Sequence, residues 1–209
     1  MDKTRLQMLL SRLKPLEDPD AELEQYRTSP DIAADVLNRM ELEGALEGRA
    51  VDLGCGNGVF AIGAGLLGGE ALGIDSDMEA VETARENLER VEEETGENLD
   101  VEFKEKDVKD LEMDAESAVT NPPFGVQKRD MNRVFLRAAF ETAPLVYAIL
   151  HRSEINPRET QEFLQNFASD NGFEADVVAT YDFPLPRTQE FHEKEKKYIK
   201  VDLYRFLQV

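Results

Sequence analysis

The sequence predicts an α/β fold: a seven-stranded, mostly parallel sheet with helices on both faces and an antiparallel last strand. Three observations predict it. Short apolar strand runs alternate with amphipathic helical stretches, which is the pattern of a parallel sheet covered on both sides. A glycine-rich loop joins the first strand run to the helix behind it. The last two strand runs follow each other with no helix between them, so they pair antiparallel.

The elements follow in order. Residues 3–13 and 30–42 have helical spacing, the second stretch opened by Ser29-Pro30-Asp31, with proline at the first turn. Ala50–Leu53 is a short apolar run that ends in glycines, and a small-residue helix from Ala61 to Leu67 follows. Ala71–Asp75 is the second strand, 77–94 a charged helix, Leu99–Phe103 the third strand and Ala118–Thr120 the fourth. A helix over roughly 130–142 leads to a fifth strand, Leu145–Leu150, and a helix at 157–170 leads to strands Ala175–Tyr181 and Ile199–Phe206. No linker or repeat interrupts this order. The organisation expected is an N-terminal helical extension, residues 1–45, on one catalytic unit, residues 46–209.

At 209 residues the chain is long enough for one well-cored domain. It contains no run of eighteen apolar residues, so no membrane-spanning helix is expected. The basic and apolar residues of the first twenty positions alternate as in an amphipathic helix rather than a signal peptide. The single cysteine, Cys55, excludes an intrachain disulfide and a cysteine zinc site, and a reducing, cytoplasmic home is expected. Forty-four acids against twenty-four bases give a net charge of −20. The acids are dispersed, and arginine outnumbers lysine fourteen to ten, which reads as adaptation to strong salt, the surface of a halophilic, archaeal kind of protein. Strong salt screens charges within a few Å, so the acidity does not exclude a nucleic-acid substrate.

Asp52-Leu53-Gly54-Cys55-Gly56-Asn57-Gly58 lies between the first strand and its helix. Glycines there let the chain turn tightly and bring backbone amides close to a ligand. The spacing is G-x-G-x-G followed by Val59, so the sixth-position glycine of the dinucleotide fingerprint is missing. Asp52 can hold an amine, Asp75 ends the second strand where a carboxylate accepts from ribose hydroxyls, and Asp107 follows the third strand, placed for an adenine amine. Amine, ribose and adenine together describe S-adenosylmethionine. Cys55 reads as a small residue that touches this cofactor through its backbone, not as a nucleophile, since no histidine is paired with it.

Asn121-Pro122-Pro123-Phe124 follows the fourth strand, where parallel sheets place their ligands. Methylating an exocyclic amine is difficult because the nitrogen lone pair is delocalised into the ring. The Asn121 amide and the Pro122 carbonyl can accept the two N–H bonds and localise that pair, the consecutive prolines fixing the carbonyl's direction. Phe124 offers a face on which a base drawn from its stack can lie.

With both motifs in place, the chain resembles the class I S-adenosylmethionine-dependent methyltransferases, which have a Rossmann-like seven-stranded sheet and an N-P-P-[FY] active site. Leu23-Glu24-Gln25-Tyr26-Arg27-Thr28-Ser29-Pro30 and the tail from Phe191 to Phe206 narrow the resemblance. They are similar to segments of the small archaeal and eukaryotic rRNA adenine-N6 methyltransferases, of the methyltransferase-like-protein-five type. The resemblance covers roughly residues 20–206. It implies that Gln25, Tyr26 and Thr28 contact the cofactor, that Asp75 meets ribose, that Asp107 and Val108 meet adenine, and that Asn121 to Phe124 hold the target base. It also implies a small zinc-binding activator protein that pairs with a sheet edge, which the third strand would supply. Arg27, where a proline is expected, and the short loop 126–130 depart from the family pattern.

Lys128, Arg129, Arg133 and Arg137 follow the Asn-Pro-Pro-Phe motif, and Lys194, Lys196, Lys197 and Lys200 cluster near the end. On so acidic a chain these groups suggest phosphate contacts, and Phe191 with His192 is placed to line or close a base pocket. For Arg133 and Arg137, at i and i+4 of one helix, a solvated helix face is an equal alternative. Two other substrates fit the same motif: a release-factor glutamine, methylated at N5, and an rRNA guanine, methylated at N2. A ribosome-assembly factor that binds the cofactor without turnover is a further alternative.

Overall fold

A computed structural model describes residues 1–16, 27–123, 129–153, 155–184 and 198–209, without the side chains of 129–131. The helices are α1 (Lys3–Leu10), α2 (Pro30–Leu42), α3 (Val59–Leu66), α4 (Met78–Thr95), α5 (Arg129–Thr142) and α6 (Pro157–Asp170). The strands are β1 (Arg49–Leu53), β2 (Glu70–Asp75), β3 (Val101–Glu105), β4 (Ser117–Thr120), β5 (Leu145–His151), β6 (Phe173–Pro184) and β7 (Tyr198–Gln208). They form one sheet in the order β3-β2-β1-β4-β5-β7-β6. β7 is antiparallel to both of its neighbours and every other pairing is parallel. The sheet class, its seven strands and the antiparallel last strand are those the sequence predicts.

Period-2 alternation decides which residues face which helices. Ala50, Ala71, Val119, Tyr147 and Ile149 point to one face, where α1, α2, α3 and α4 cover them. Val51, Leu53, Leu72, Ile74, Ala118, Val146 and Leu150 point to the other, under α5 and α6. The first residues of the chain share this core: Leu6, Leu9 and Leu10 of α1 pack into the cluster that holds Ile62 of α3. An ion-pair cluster joins the extension to the far strands. Asp35 of α2 accepts from Arg39 Nε at 2.8 Å, from Tyr181 Oη at 2.7 Å and from Lys3. Burial would raise the Asp35 carboxyl, but these donors outweigh it and hold the group at about 2.

β3 begins two residues later than the sequence pattern indicates. Leu99, Val101 and Phe103 are all buried on one face, so the alternation starts before the ladder does. The Leu99 N–H bonds instead to the Glu92 carboxylate at 2.8 Å. β6 is longer than expected and carries a register shift between Val177 and Ala179. One extra residue there reverses the faces: Phe173 and Ala175 lie under α5 and α6, while Phe183 packs with α1–α4.

Candidate active site at the carboxyl edge

Every parallel strand ends at one edge of the sheet, so the connections leaving β1, β2, β3 and β4 meet there. They carry the glycine loop, Asp75, Asp107 and Asn121.

The glycine loop folds back on β2. The N–H groups of Gly54 and Cys55 both donate to the Ile74 carbonyl at 2.9 Å, and the Gly58 N–H closes the turn on Cys55 O at 2.8 Å. Two of its glycines serve different needs. Gly58, at φ +84°, is packed so closely that a Cβ would lie 2.8 Å from Phe103 and 3.1 Å from Ala84. Gly56, also left-handed at φ +50°, faces open space, with nothing within 4 Å of where its Cβ would stand. A ligand can therefore approach the backbone at Gly56.

Asp75 anchors the other side of that opening. Its carboxylate accepts from the Gly56 N–H at 2.9 Å and the Asp77 N–H at 3.1 Å. Burial raises its proton affinity, and the Gly56 bond offsets part of the rise. Asp52 is 2% exposed. Its Oδ2 accepts from the Ala61 N–H at 3.3 Å, and its buried Oδ1 has no hydrogen-bond partner among the described residues. Burial pushes this carboxyl up to about 8, with the nearby Asp75 charge adding to the rise and the Ala61 bond opposing it. A buried carboxyl with a free oxygen is a fitting receiver for a cationic amine. The orphaned Asp52 oxygen, the open cradle at Gly56 and the anchored Asp75 together fit an aminoacyl nucleoside. Cys55 is buried, and burial raises its thiol well above its ordinary value. It stays neutral, which suits a packing role and not a nucleophile.

Asn121 leaves β4 beside this loop. Its Nδ2 donates to Thr28 Oγ1 at 2.9 Å, which sets the direction of the amide. Thr28, buried at 4% exposure, precedes α2 and brings the N-terminal segment to the exit of β4. Beneath them the Thr120 hydroxyl donates to Leu53 O at 2.8 Å and ties the exit of β4 to the exit of β1. Pro122 is buried and Pro123 half-buried. Asp107 is placed after β3 as expected, but there it accepts from the Lys109 N–H at 3.0 Å and caps a short 3-10 turn, Val108–Asp110. Val108 is buried in the core under α5. Arg27, the residue at the expected proline, is half-buried, which lowers its proton affinity, and it donates to the Leu10 carbonyl at 3.4 Å.

Gln25, Tyr26, Phe124, Lys128, Phe191, His192, Lys194, Lys196 and Lys197 lie outside the described residues, as does the Arg129 side chain. Of the remaining basic residues, Lys200 pairs with Asp182 at 2.7 Å. Arg133 and Arg137 are exposed on α5 and lie over Phe163 and Phe167 of α6 at 5.0 and 5.9 Å.

Two supporting features escaped the sequence reading. Phe135 of α5 lies under the glycine loop, so that a Cβ on Gly54 would stand 2.9 Å from its ring. Asn87 of α4, fully buried, grips the N-terminal segment by both backbone groups of Lys14: Lys14 N–H donates to its Oδ1 at 2.8 Å, and its Nδ2 donates to Lys14 O at 3.1 Å and to Asn57 O at 3.0 Å. Asn57 returns the contact through its Nδ2, 2.9 Å from Lys14 O. The extension, α4 and the glycine loop are thus joined by one buried polar knot. Its signal in the sequence is an asparagine on the apolar stripe Ala80, Ala84, Asn87, Val91, where a poor helix former needs a reason.

The model of a family described as the methyltransferase small domain matches residues 27–146. The rRNA N(6)-adenosine-methyltransferase Mettl5 of Drosophila melanogaster is 32% identical, over 97% of this chain and 94% of its own length. The METTL5 enzyme of Danio rerio is 31% identical, over 99% of each chain. The crystal structure of the Pyrococcus horikoshii protein PH1948 superposes with a TM-score of 0.86 at 34% identity, covering 100% of this chain and 98% of that one.

Proposed function

The chain belongs to the methyltransferase small domain family and uses S-adenosylmethionine, and from that premise we propose that it methylates N6 of an adenine in small-subunit rRNA. The observation that carries this reading is the Asn121 amide, held by Thr28 at the exit of β4. The relatives named as rRNA N(6)-adenosine methyltransferases, aligned along nearly the whole chain, support it.

S-adenosylmethionine, when bound, supplies a methyl group on a positively charged sulfur. Asp52 receives the ammonium of the methionine moiety, Asp75 the ribose hydroxyls, and the segment Asp107–Val108 the adenine. Gln25 and Thr28 contact the methionine moiety, with Tyr26 alongside. The target adenine leaves its stack and lies on Phe124. The Asn121 oxygen and the Pro122 carbonyl accept the two N–H bonds of its amine, which draws the nitrogen toward tetrahedral geometry and frees its lone pair. No strong base is required, because the methylated ammonium is acidic and loses its proton to water. Lys128, Arg129, Phe191, His192, Lys194, Lys196 and Lys197 hold the RNA around the flipped base.

A small zinc-binding activator pairs with the free edge of β3 and completes the functional enzyme. No helix among the described residues is long and apolar enough to cross a membrane, and the acidic surface suits an archaeal cytoplasm rich in salt. Incubation with S-adenosylmethionine carrying a labelled methyl, rRNA and ribosomal proteins tests the substrate class. Label in the RNA fraction is expected, and label confined to protein would reject the reading.

A further inference from the structure

We infer that the arginine–phenylalanine ladder between α5 and α6 is a docking platform for single-stranded RNA beside the active site, an inference that rests on the rRNA reading above. α5 and α6 both start at the carboxyl edge and run side by side. Arg133 lies over the Phe163 ring at 5.0 Å and Arg137 over the Phe167 ring at 5.9 Å, one helical turn further in. The two rings are 6.4 Å apart and tilted by only 21°. Phe167 continues the row to Phe140 at 6.1 Å, which is itself buried in the core. The row thus runs from the interior out to solvent, and its exposed end is the one nearer the carboxyl edge.

That end is unusual for a surface helix. Phe163 is 44% exposed, and Ile155, on the connection from β5 to α6 at the same edge, is 98% exposed. Packing between the two helices does not require either to stand in water. The ladder shares α5 with the candidate site, since Phe135, two residues after Arg133, supports the glycine loop.

A guanidinium laid over an aromatic ring keeps a flat, weakly hydrated outer face and an undiminished charge. Such a face takes a nucleobase by stacking, and its N–H edge donates to a phosphate. A single strand offers both at once. The matching chemistry is therefore an unpaired stretch of RNA next to the flipped nucleotide, with its bases on the ladder and its backbone against Arg133 and Arg137.

The test is fluorescence anisotropy with a labelled single-stranded RNA of about 20 nucleotides, on wild type, Arg133→Lys and Phe163→Leu. Arg133→Lys keeps the charge and removes the planar face, and Phe163→Leu keeps an apolar residue and removes the ring. Each is expected to weaken RNA binding by about tenfold, a loss in the range of one stacked base. S-adenosylhomocysteine binding, measured by calorimetry, is expected to stay at the wild-type value. Wild-type RNA affinity in Arg133→Lys, a surface change that leaves the core intact, overturns the platform while leaving the rRNA reading standing. Failure of the wild-type protein itself to bind RNA overturns both.

Discussion

Asn121 Nδ2 sits 2.9 Å from Thr28 Oγ1, a hydrogen bond between two side chains 93 positions apart in sequence. The bond makes the N-terminal segment a part of the candidate site. It turns the amide so that its nitrogen faces Thr28, and in the proposed mechanism the amide oxygen is the acceptor for the substrate amine. Thr28→Val keeps the side-chain shape and removes this acceptor. We predict that kcat falls about tenfold, near 1.4 kcal/mol of barrier, with KM for RNA little changed. Thr28→Ser restores the rate. Steady-state kinetics on the three proteins check this, and equal kcat in Thr28→Val would remove the steering role.

Asp52 makes the ligand-free protein sensitive to alkali. Its carboxyl is raised from 3.8 to about 8 in the fold, so the folded chain holds a proton that the unfolded chain has already released. That contribution to stability is complete below about pH 4 and is lost as the pH climbs toward 8. Asp52→Asn carries no such penalty. Its Tm should therefore rise relative to wild type between pH 5 and pH 8.5, while its affinity for S-adenosylmethionine drops. A gap that does not widen with pH would mean that Asp52 is ionised throughout.

Removing the buried amide of Asn87 leaves Lys14 and Asn57 short of hydrogen-bond partners. At about 1–3 kcal/mol for unsatisfied buried groups, and about 2–4 °C per kcal/mol for a chain of this size, Asn87→Ala should lose roughly 2–12 °C in Tm. Because the same knot holds the glycine loop, cofactor affinity should fall as well. Thermal melts and calorimetry, each with and without S-adenosylhomocysteine, separate the two effects. A Tm loss with unchanged cofactor affinity would confine Asn87 to stability.

β3 is the edge strand on the cofactor side of the sheet. The Lys106 N–H bonds inward to Asp75 O at 2.8 Å, so the alternating Glu105 N–H points outward, toward any added strand. Glu105→Pro deletes that donor at a position where an edge strand tolerates proline. Co-expression with the proposed zinc-binding activator should yield a complex with wild type and none with Glu105→Pro, while the variant's own melt stays close to wild type. Equal recovery of the complex would place the partner elsewhere.

The sheet was legible because its signals are local. The apolar runs of β1, β2 and β4 end at the residues that build the candidate site, and α2 and α6 have the bounds their proline starts and periodicity indicate. Leu99 misled the start of β3, since its side chain is buried although its backbone lies outside the ladder. The bulge near Val178 was invisible, because Val177-Val178 reads as a continuation of the strand on either face. At the candidate site, Asp52, Asp75 and Asn121 announced themselves by their positions at the carboxyl ends of strands. The Thr28–Asn121 bond, the Asn87 knot and the Phe135 support join residues far apart in the chain, and only the folded topology brings them together.

The most direct test of the central claim is nucleoside analysis of the methylated product. Small-subunit rRNA treated with the enzyme and S-adenosylmethionine is digested to nucleosides and resolved by chromatography and mass spectrometry, with wild type and Asn121→Ala in parallel. The account predicts N6-methyladenosine from wild type and none from Asn121→Ala, although the variant still binds cofactor within a few-fold of wild type. N2-methylguanosine from wild type, or N6-methyladenosine at wild-type rate from Asn121→Ala, would contradict it.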